Sequence, residues 1–426
     1  MIFVNLLLAC VLTGMLIKWR SPLILFAAQF SFGSVFRTDD ESFWINLSWF
    51  VALVAVGFAV RRTGLTIDRF SLDASRVGVM RSIAFVMVAV AALAFWVAEI
   101  GITELSSAKR LSEESGLGNI IDSFLLLLLT TASIVLAFGK RGIRKPLLVA
   151  CIVVFALIAL RAFLGSNRGL ILVPVVFIVA VRALTISSRG ELVRFLTFAV
   201  PLVPLALLLI AYVTAERAGV ASDGGFALLI EQISSPLSNG YSPMKDQIIM
   251  NYVEYRGPLF PATMFLAPIY AFIPSLIWPD KPDVGAGRTV GFEVFGTGDE
   301  ISGQGAGIPI SIPAHFEAII GQGGFAMGLL AIIVGSFLIA HLARRYPIVI
   351  VPLAIAGHGA LGSDIGRLGL QMIIMTVGLL VIQRLMGFKL RLDTSIDDPD
   401  KSKRRPRAAP PAPRHRAIPQ SRVRET

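Results

Sequence analysis

The sequence predicts an all-α, polytopic integral membrane protein, and three observations carry that expectation. Hydrophobic residues make up 55% of the 426 and charged residues only 16%, and the mean hydropathy of +0.75 is far above that of a soluble domain. About eleven apolar runs approach or reach the length needed to cross a hydrocarbon core of about 30 Å, which takes roughly 17–25 helical residues. Basic residues cluster in short loops between these runs, and all such loops fall on one side when the runs alternate. Backbone polar groups in lipid must be satisfied internally, so the runs are read as helices.

In chain order the expected spans are 2–17, 22–36, 43–60, 82–101, 120–139, 147–164, 169–186, 192–215, 318–340, 347–361 and 368–387. The first has neither a basic leader before it nor a small-residue cleavage site after it, and reads as a retained helix. Cys10 and Cys151 both fall within spans, which supports neither a disulfide framework nor a cysteine metal site. The loops 18–20, 61–81, 140–145, 182–194 and 341–345 are basic, and lysine and arginine are retained on the cytoplasmic side. The amino terminus is therefore expected outside and the carboxyl tail inside.

One further apolar run, 259–278, cannot cross without inverting that pattern. Prolines at 261, 268 and 274 would each remove a backbone donor, so it reads as a re-entrant or interfacial segment. The organisation that follows is N-terminal transmembrane helices over 1–215, a large periplasmic module with the re-entrant segment over 216–317, C-terminal transmembrane helices over 318–388, and a disordered basic cytoplasmic tail over 389–426. Within the module, 243–256 places Met244, Ile248, Ile249, Tyr252 and Val253 at helical spacing. It reads as an amphipathic helix on the membrane, with packing against the spans as the alternative.

The net charge of +11 resides largely in the Pro-rich tail, where 401–426 holds nine Lys or Arg against one Glu. That composition suits cytoplasmic retention and anionic lipid, and gives no reason to expect nucleic acid as a partner. The Gly-rich stretches "GAGRTVG" and "GQGAGIP" lack the strand, helix and Lys-Ser/Thr of a phosphate-cradling loop. No metal set and no cofactor is expected. No period of 20–50 residues repeats, which weighs against a repeat-built transporter.

Under this topology a set of ionisable residues collects on the outer side. Arg161, Arg168, Arg288 and Arg367 come from segments far apart in sequence, joined by Lys281, Arg256 and His358. Guanidinium groups match phosphate oxygens bidentately and keep their charge, so such a cluster suits a diphosphate, while an isolated arginine at a helix end can instead snorkel to head groups. His315, Glu317 and Glu254 are the candidate proton acceptors for a sugar hydroxyl. Glu317 also reads as a helix-start carboxylate, and His358, flanked by glycines, as a packing residue.

With those residues in view, the chain resembles the O-antigen polymerase family, the oligosaccharide repeat-unit polymerases of bacterial envelopes. The likeness rests on "SNRG" after a mid-chain span, on "IPSLIWPDKP", of which "WPDKP" is the most telling part, and on Glu317 followed by Gly323 at the start of a late span. It covers roughly residues 161–386. The resemblance implies a GT-C-like architecture and a metal-independent membrane glycosyltransferase. Such an enzyme joins undecaprenyl-diphosphate-linked oligosaccharides at the periplasmic face of the inner membrane, beside a flippase and a chain-length regulator. By position, Arg168 would bind the diphosphate and Lys281 a sugar or phosphate. The related ligases usually carry His-Asn where this chain has His315-Phe316, which favours a polymerase. A ligase-type transferase and a flippase or transporter of lipid-linked oligosaccharide are the alternatives.

Overall fold

The computed structural model describes residues 2–100, 116–139, 144–164, 168–186, 189–193, 195–197, 241–273, 278, 286–299, 304–305, 308, 310–355, 361 and 365–392. Of the span expected over 192–215, residue 194 and residues 198–215 lie outside them, as do residues 393–426 of the basic tail expected over 389–426. Residues Met1–Leu392 form one compact unit.

Helices dominate. α1 (Ile2–Lys18) buries Asn5, Ala9, Leu12 and Leu16 at helical spacing, and turns Phe3 and Leu7 outward. This stripe packs on α2 (Ile24–Phe36) and α3 (Phe43–Arg62), whose buried face runs from Ile45 through Trp49 and Val56 to Val60. α4 (Val79–Ile100), α5 (Gly116–Phe138), α6 (Lys145–Leu164) and α7 (Arg168–Thr185) pack together as a second group. Leu, Val and Phe cover much of the outward surface, as expected where the surrounding solvent is hydrocarbon. Four runs among the described residues are long and apolar enough to cross a membrane: Phe43–Arg69, Val79–Ala98, Gly324–Arg345 and Leu368–Met386.

The remaining elements are shorter and more broken. α8 (Pro243–Arg256) starts at the N-cap Ser242, whose hydroxyl accepts the Lys245 amide. The apolar run 259–278 is a 3₁₀ turn over Ala262–Leu266 followed by α9 (Ala267–Phe272), with Trp278 edge-on to Tyr270. Pro261 caps the turn and Pro268 opens α9, positions where the missing N–H costs no hydrogen bond. α10 (Ala286–Glu293), α11 (Ile312–Ile320), α12 (Gly324–Arg345), α13 (Ile350–Ile355) and α14 (Ile365–Met386) follow, and residues 189–193 and 195–197 are helical too.

Two expectations change. The single span over 318–340 is instead two helices. Gly321 and Gly323 take φ of 93° and 90°, a left-handed backbone that side chains disfavour, and there the chain breaks between α11 and α12. α12 then lies tightly on α11, with a Cβ at Gly328 falling 2.5 Å from Pro313 Cα. Second, the described part of 347–361 is a 3₁₀ turn over Pro347–Val349 and the six-residue α13. The mostly helical fold also carries two short strand pairs. β1 (Phe70–Asp73) pairs antiparallel with β4 (Lys389–Leu392), and β2 (Gly298–Asp299) with β3 (Gln304–Gly305).

The β1–β4 ribbon organises one end of the bundle. Arg20 pairs with Asp68 at 3.1 Å, Arg391 with Asp73 at 2.7 Å, and Arg81 donates to the Met386 carbonyl. Arg182 donates to the carbonyls of Leu136 and Gly139, the turn after α12 touches β4, and the Phe70 and Phe138 rings meet at 5.9 Å. The described basic residues of these loops therefore gather at one end.

Candidate functional site

The far end is built around α8 and α11. α8 packs against both α3 and α11, so of its two sequence readings the packed one holds and the surface-lying one does not. Its buried face is Pro243, Lys245, Asp246, Ile249 and Val253; it keeps Ile249 and Val253 of the expected stripe, adds two charged residues, and leaves Ile248 37% exposed. Two charged side chains point into the protein because polar partners wait for them there.

Asp246 is fully buried. Its Oδ2 accepts the Trp49 indole N–H at 3.3 Å and the Ser311 hydroxyl at 2.7 Å. Burial raises its carboxyl to about 6, opposed first by the charge of Lys245 and then by the bonds from Ser311 and Trp49. Oδ1, also buried, has no hydrogen-bond partner among the described residues. Burial likewise lowers the Lys245 ammonium to about 8, with Asp246 acting the other way and Arg37 reinforcing the fall. Asp246 and Lys245 are thus brought toward each other in proton affinity, an arrangement frequent at functional sites.

The cluster extends toward α1. Arg37, 7% exposed, donates to the Tyr241 carbonyl at 3.2 Å. The Tyr241 hydroxyl donates to Asn46 Oδ1, which also accepts from Ser34, and Asn46 Nδ2 donates to Asn5. Burial raises the Tyr241 phenol well above its usual value, and the Asp246 charge adds to that. Trp49 lies seven residues into α3, about 10 Å at a rise of 1.5 Å per residue. This polar network therefore reaches below the end of the helix bundle.

α11 carries two of the candidates, two positions apart in sequence, and each meets the start of a different helix. His315 Nδ1 accepts the backbone N–H of Ile365, the first residue of α14, at 3.1 Å. Glu317 Oε2 accepts the N–H of Phe325 in the first turn of α12 at 2.6 Å. Both satisfy donors that helix starts leave open, and the carboxylate also favours the positive end of the helix dipole. The His315 ring packs edge-on to Phe260 at 5.4 Å, and burial lowers its imidazole to about 4. A neutral ring with Nδ1 accepting carries its proton on Nε2. In this geometry His315 offers a donor rather than the base expected from sequence. His315 and Glu317 are not bonded to each other.

The other candidates are placed unevenly. Arg161, 3% exposed, lays its guanidinium carbon 4.7 Å from the centre of the buried Trp96 ring. Glu254 and Arg256 are exposed on the last turn of α8. Arg168, Arg288 and Arg367 sit in the backbones of α7, α10 and α14, and their side chains lie outside the described residues. So do Lys281 and His358 entirely.

Sequence reading missed Asp246, Trp49, Ser311 and Arg37 as members of one cluster. An aspartate in a first helical turn reads as a dipole partner, a tryptophan in a span as core, and a serine before a proline as a cap. None of these signals indicates that the three would meet.

Comparison with family profiles, with characterised proteins and with solved structures finds no match to this chain.

Proposed function

We propose that this chain polymerises undecaprenyl-diphosphate-linked oligosaccharide repeat units into a surface polysaccharide at the periplasmic face of a bacterial inner membrane. The observation that carries the reading is the burial of Arg37, Arg161 and Lys245 at the end of the bundle away from the basic loops. Cations so placed oppose the usual distribution of positive charge and are costly near lipid, which marks them as functional. "SNRG" and "WPDKP" supply the resemblance that names the substrate class. The proposal includes a GT-C-like arrangement of the spans.

In the proposed reaction an acceptor sugar hydroxyl attacks the anomeric carbon of the chain held on its carrier. The C–O bond to the diphosphate breaks, the new glycosidic bond forms, and undecaprenyl diphosphate leaves with the bonding electron pair. Fixed cations stabilise the departing charge without reorganising. Arg161 and Arg168 take this role, with Lys281, Arg288 and Arg367 as further contacts. In this proposal the Nε2–H of His315 adds a neutral donor, and Glu254 receives the hydroxyl proton.

The test is an electrophoretic ladder of surface polysaccharide from cells lacking this chain, then supplied with the wild type or with Arg168→Ala. Deletion is expected to remove long chains and leave single repeat units on their carrier. The wild type restores the ladder and Arg168→Ala does not. A deletion strain with normal chain lengths and failed export of the repeat unit would replace this reading with a transporter.

A further inference from the structure

We propose that Asp246 is a positioning residue that holds α11, and through it the contact of His315 with the start of α14, in place for transfer.

The argument follows a chain of contacts. Asp246 Oδ2 receives Trp49 of α3 and Ser311 together, so one carboxylate oxygen ties a spanning helix to the residue that begins α11. Ser311 uses its other capacities on α11 itself. Its Oγ accepts the Ala314 N–H at 3.3 Å, and its carbonyl accepts the His315 N–H at 2.9 Å. His315 then accepts Ile365. The links from Trp49 to His315 are buried and the last, to Ile365, is part-buried, and no link spans more than one side chain. A carboxylate is a costly anchor at 0% exposure. A neutral acceptor would bind both donors with a smaller desolvation penalty, so a purely structural site has no need of the charge. The charge does have neighbours: Lys245 on the same helix and Arg37 from the end of α2 act on it or on its pair, and Tyr241 feels it.

The placement of Asp246 also separates it from catalysis itself. It touches Trp49 and Ser311, and reaches His315 only through Ser311 and the backbone of α11. Small displacements of a group that contacts substrate are expensive in rate, about 100-fold for 1 Å. A positioning residue therefore changes turnover more than substrate binding.

This inference rests on the proposed polymerase reading for its activity measurement, and has a second measurement that does not. Hydrogen–deuterium exchange of the purified full chain in detergent reports the Ile365 amide directly. Asp246→Ala and Ser311→Ala are each expected to speed exchange in the peptide containing Ile365 by about tenfold, while Asp246→Asn, which keeps an acceptor for both donors, retains most of the protection. In the transfer assay with lipid-linked repeat units, Asp246→Ala is expected to lower kcat by at least about tenfold with KM within about twofold. Wild-type exchange at Ile365 in a folded Asp246→Ala or Ser311→Ala protein would overturn the proposal. So would a loss confined to KM. If the wild type performs no transfer, the polymerase reading falls and the exchange measurement still decides the role of Asp246.

Discussion

Ser311 donates its hydroxyl proton to Asp246 Oδ2 at 2.7 Å across 65 positions of sequence. That bond joins the cap of α11 to the buried face of α8, and Trp49 closes the triangle from α3. Ser311→Ala removes both a helix cap and a buried hydrogen bond. It should lower stability by about 2 kcal/mol, read as a fall in the melting temperature of the purified protein in detergent. Ser311→Thr should recover most of the loss, and an unchanged melting temperature for Ser311→Ala would show the bond to be dispensable.

Two buried groups give stability an unusual pH dependence. Burial lowers the His315 imidazole from 6.5 to about 4. The unfolded chain therefore binds a proton that the folded chain refuses between those values. The stability from this group is full above 6.5 and lost as pH falls toward about 4, by about 3 kcal/mol at roughly 1.4 kcal/mol per unit. Asp246, raised from 3.8 to about 6, works in the opposite sense, because the folded state holds its proton longer and gains stability as pH falls from about 6 to 3.8. The two effects offset one another in the wild type below about pH 6. Asp246→Asn should expose the histidine loss, so its melting temperature falls more steeply than the wild type between about pH 6 and about pH 4. Parallel curves would contradict the assignment.

Arg161 lies over Trp96 with its guanidinium carbon 4.7 Å from the ring centre. Lysine keeps the charge but loses the planar fork and the stacking, a contact worth about 1–2 kcal/mol when desolvated. Arg161→Lys should reduce long-chain polysaccharide by about tenfold, the change in rate that 1.4 kcal/mol produces. A normal ladder from Arg161→Lys would remove Arg161 from the proposed site.

The seam between α11 and α12 predicts opposite outcomes at two glycines of one helix. A Cβ at Gly328 would stand 2.5 Å from Pro313 Cα, whereas one at Gly335 would meet nothing within 4 Å. Gly328→Ala should cost about 1–3 kcal/mol by overpacking, and Gly335→Ala should be neutral or stabilise by up to about 1 kcal/mol. Thermal unfolding of the two variants side by side decides the point, and equal effects would argue against this packing.

Sidedness is testable at two exposed positions. Tyr255, 86% exposed, lies on the last turn of α8 at the far end, and Ser75 is exposed just after β1 at the basic end. In a background with both native cysteines replaced, Tyr255→Cys should react with a membrane-impermeant maleimide added to intact spheroplasts. Ser75→Cys should react only after lysis. The reverse pattern would invert the proposed topology.

Much of the architecture is legible along the chain because hydrophobic runs and basic loops are local properties. The runs became α1 to α7, α12 and α14 with modest changes of boundary. The glycines that break 318–340 into α11 and α12 were also visible, but glycine in a hydrophobic run reads equally as close packing, and only the left-handed backbone at Gly321 and Gly323 tells the two apart. The strand pairing of 70–73 with 389–392 joins segments 316 positions apart at its closest pair, Asp73↔Lys389, and the four-residue alternation of each strand says nothing of which distant segment it will meet.

By itself the sequence determined a helical membrane protein with its basic loops on one side, because hydropathy and charge act wherever a residue sits. It also carried the segments whose likeness names a substrate class. Only the tertiary structure decided that Lys245 and Asp246 turn inward, that His315 and Glu317 each meet a separate helix start, and that Trp49 and Ser311 share one carboxylate oxygen. A charged residue enters the interior only when a partner from elsewhere in the chain lowers the cost of desolvation. That partner is set by packing, and packing is not written in any one segment.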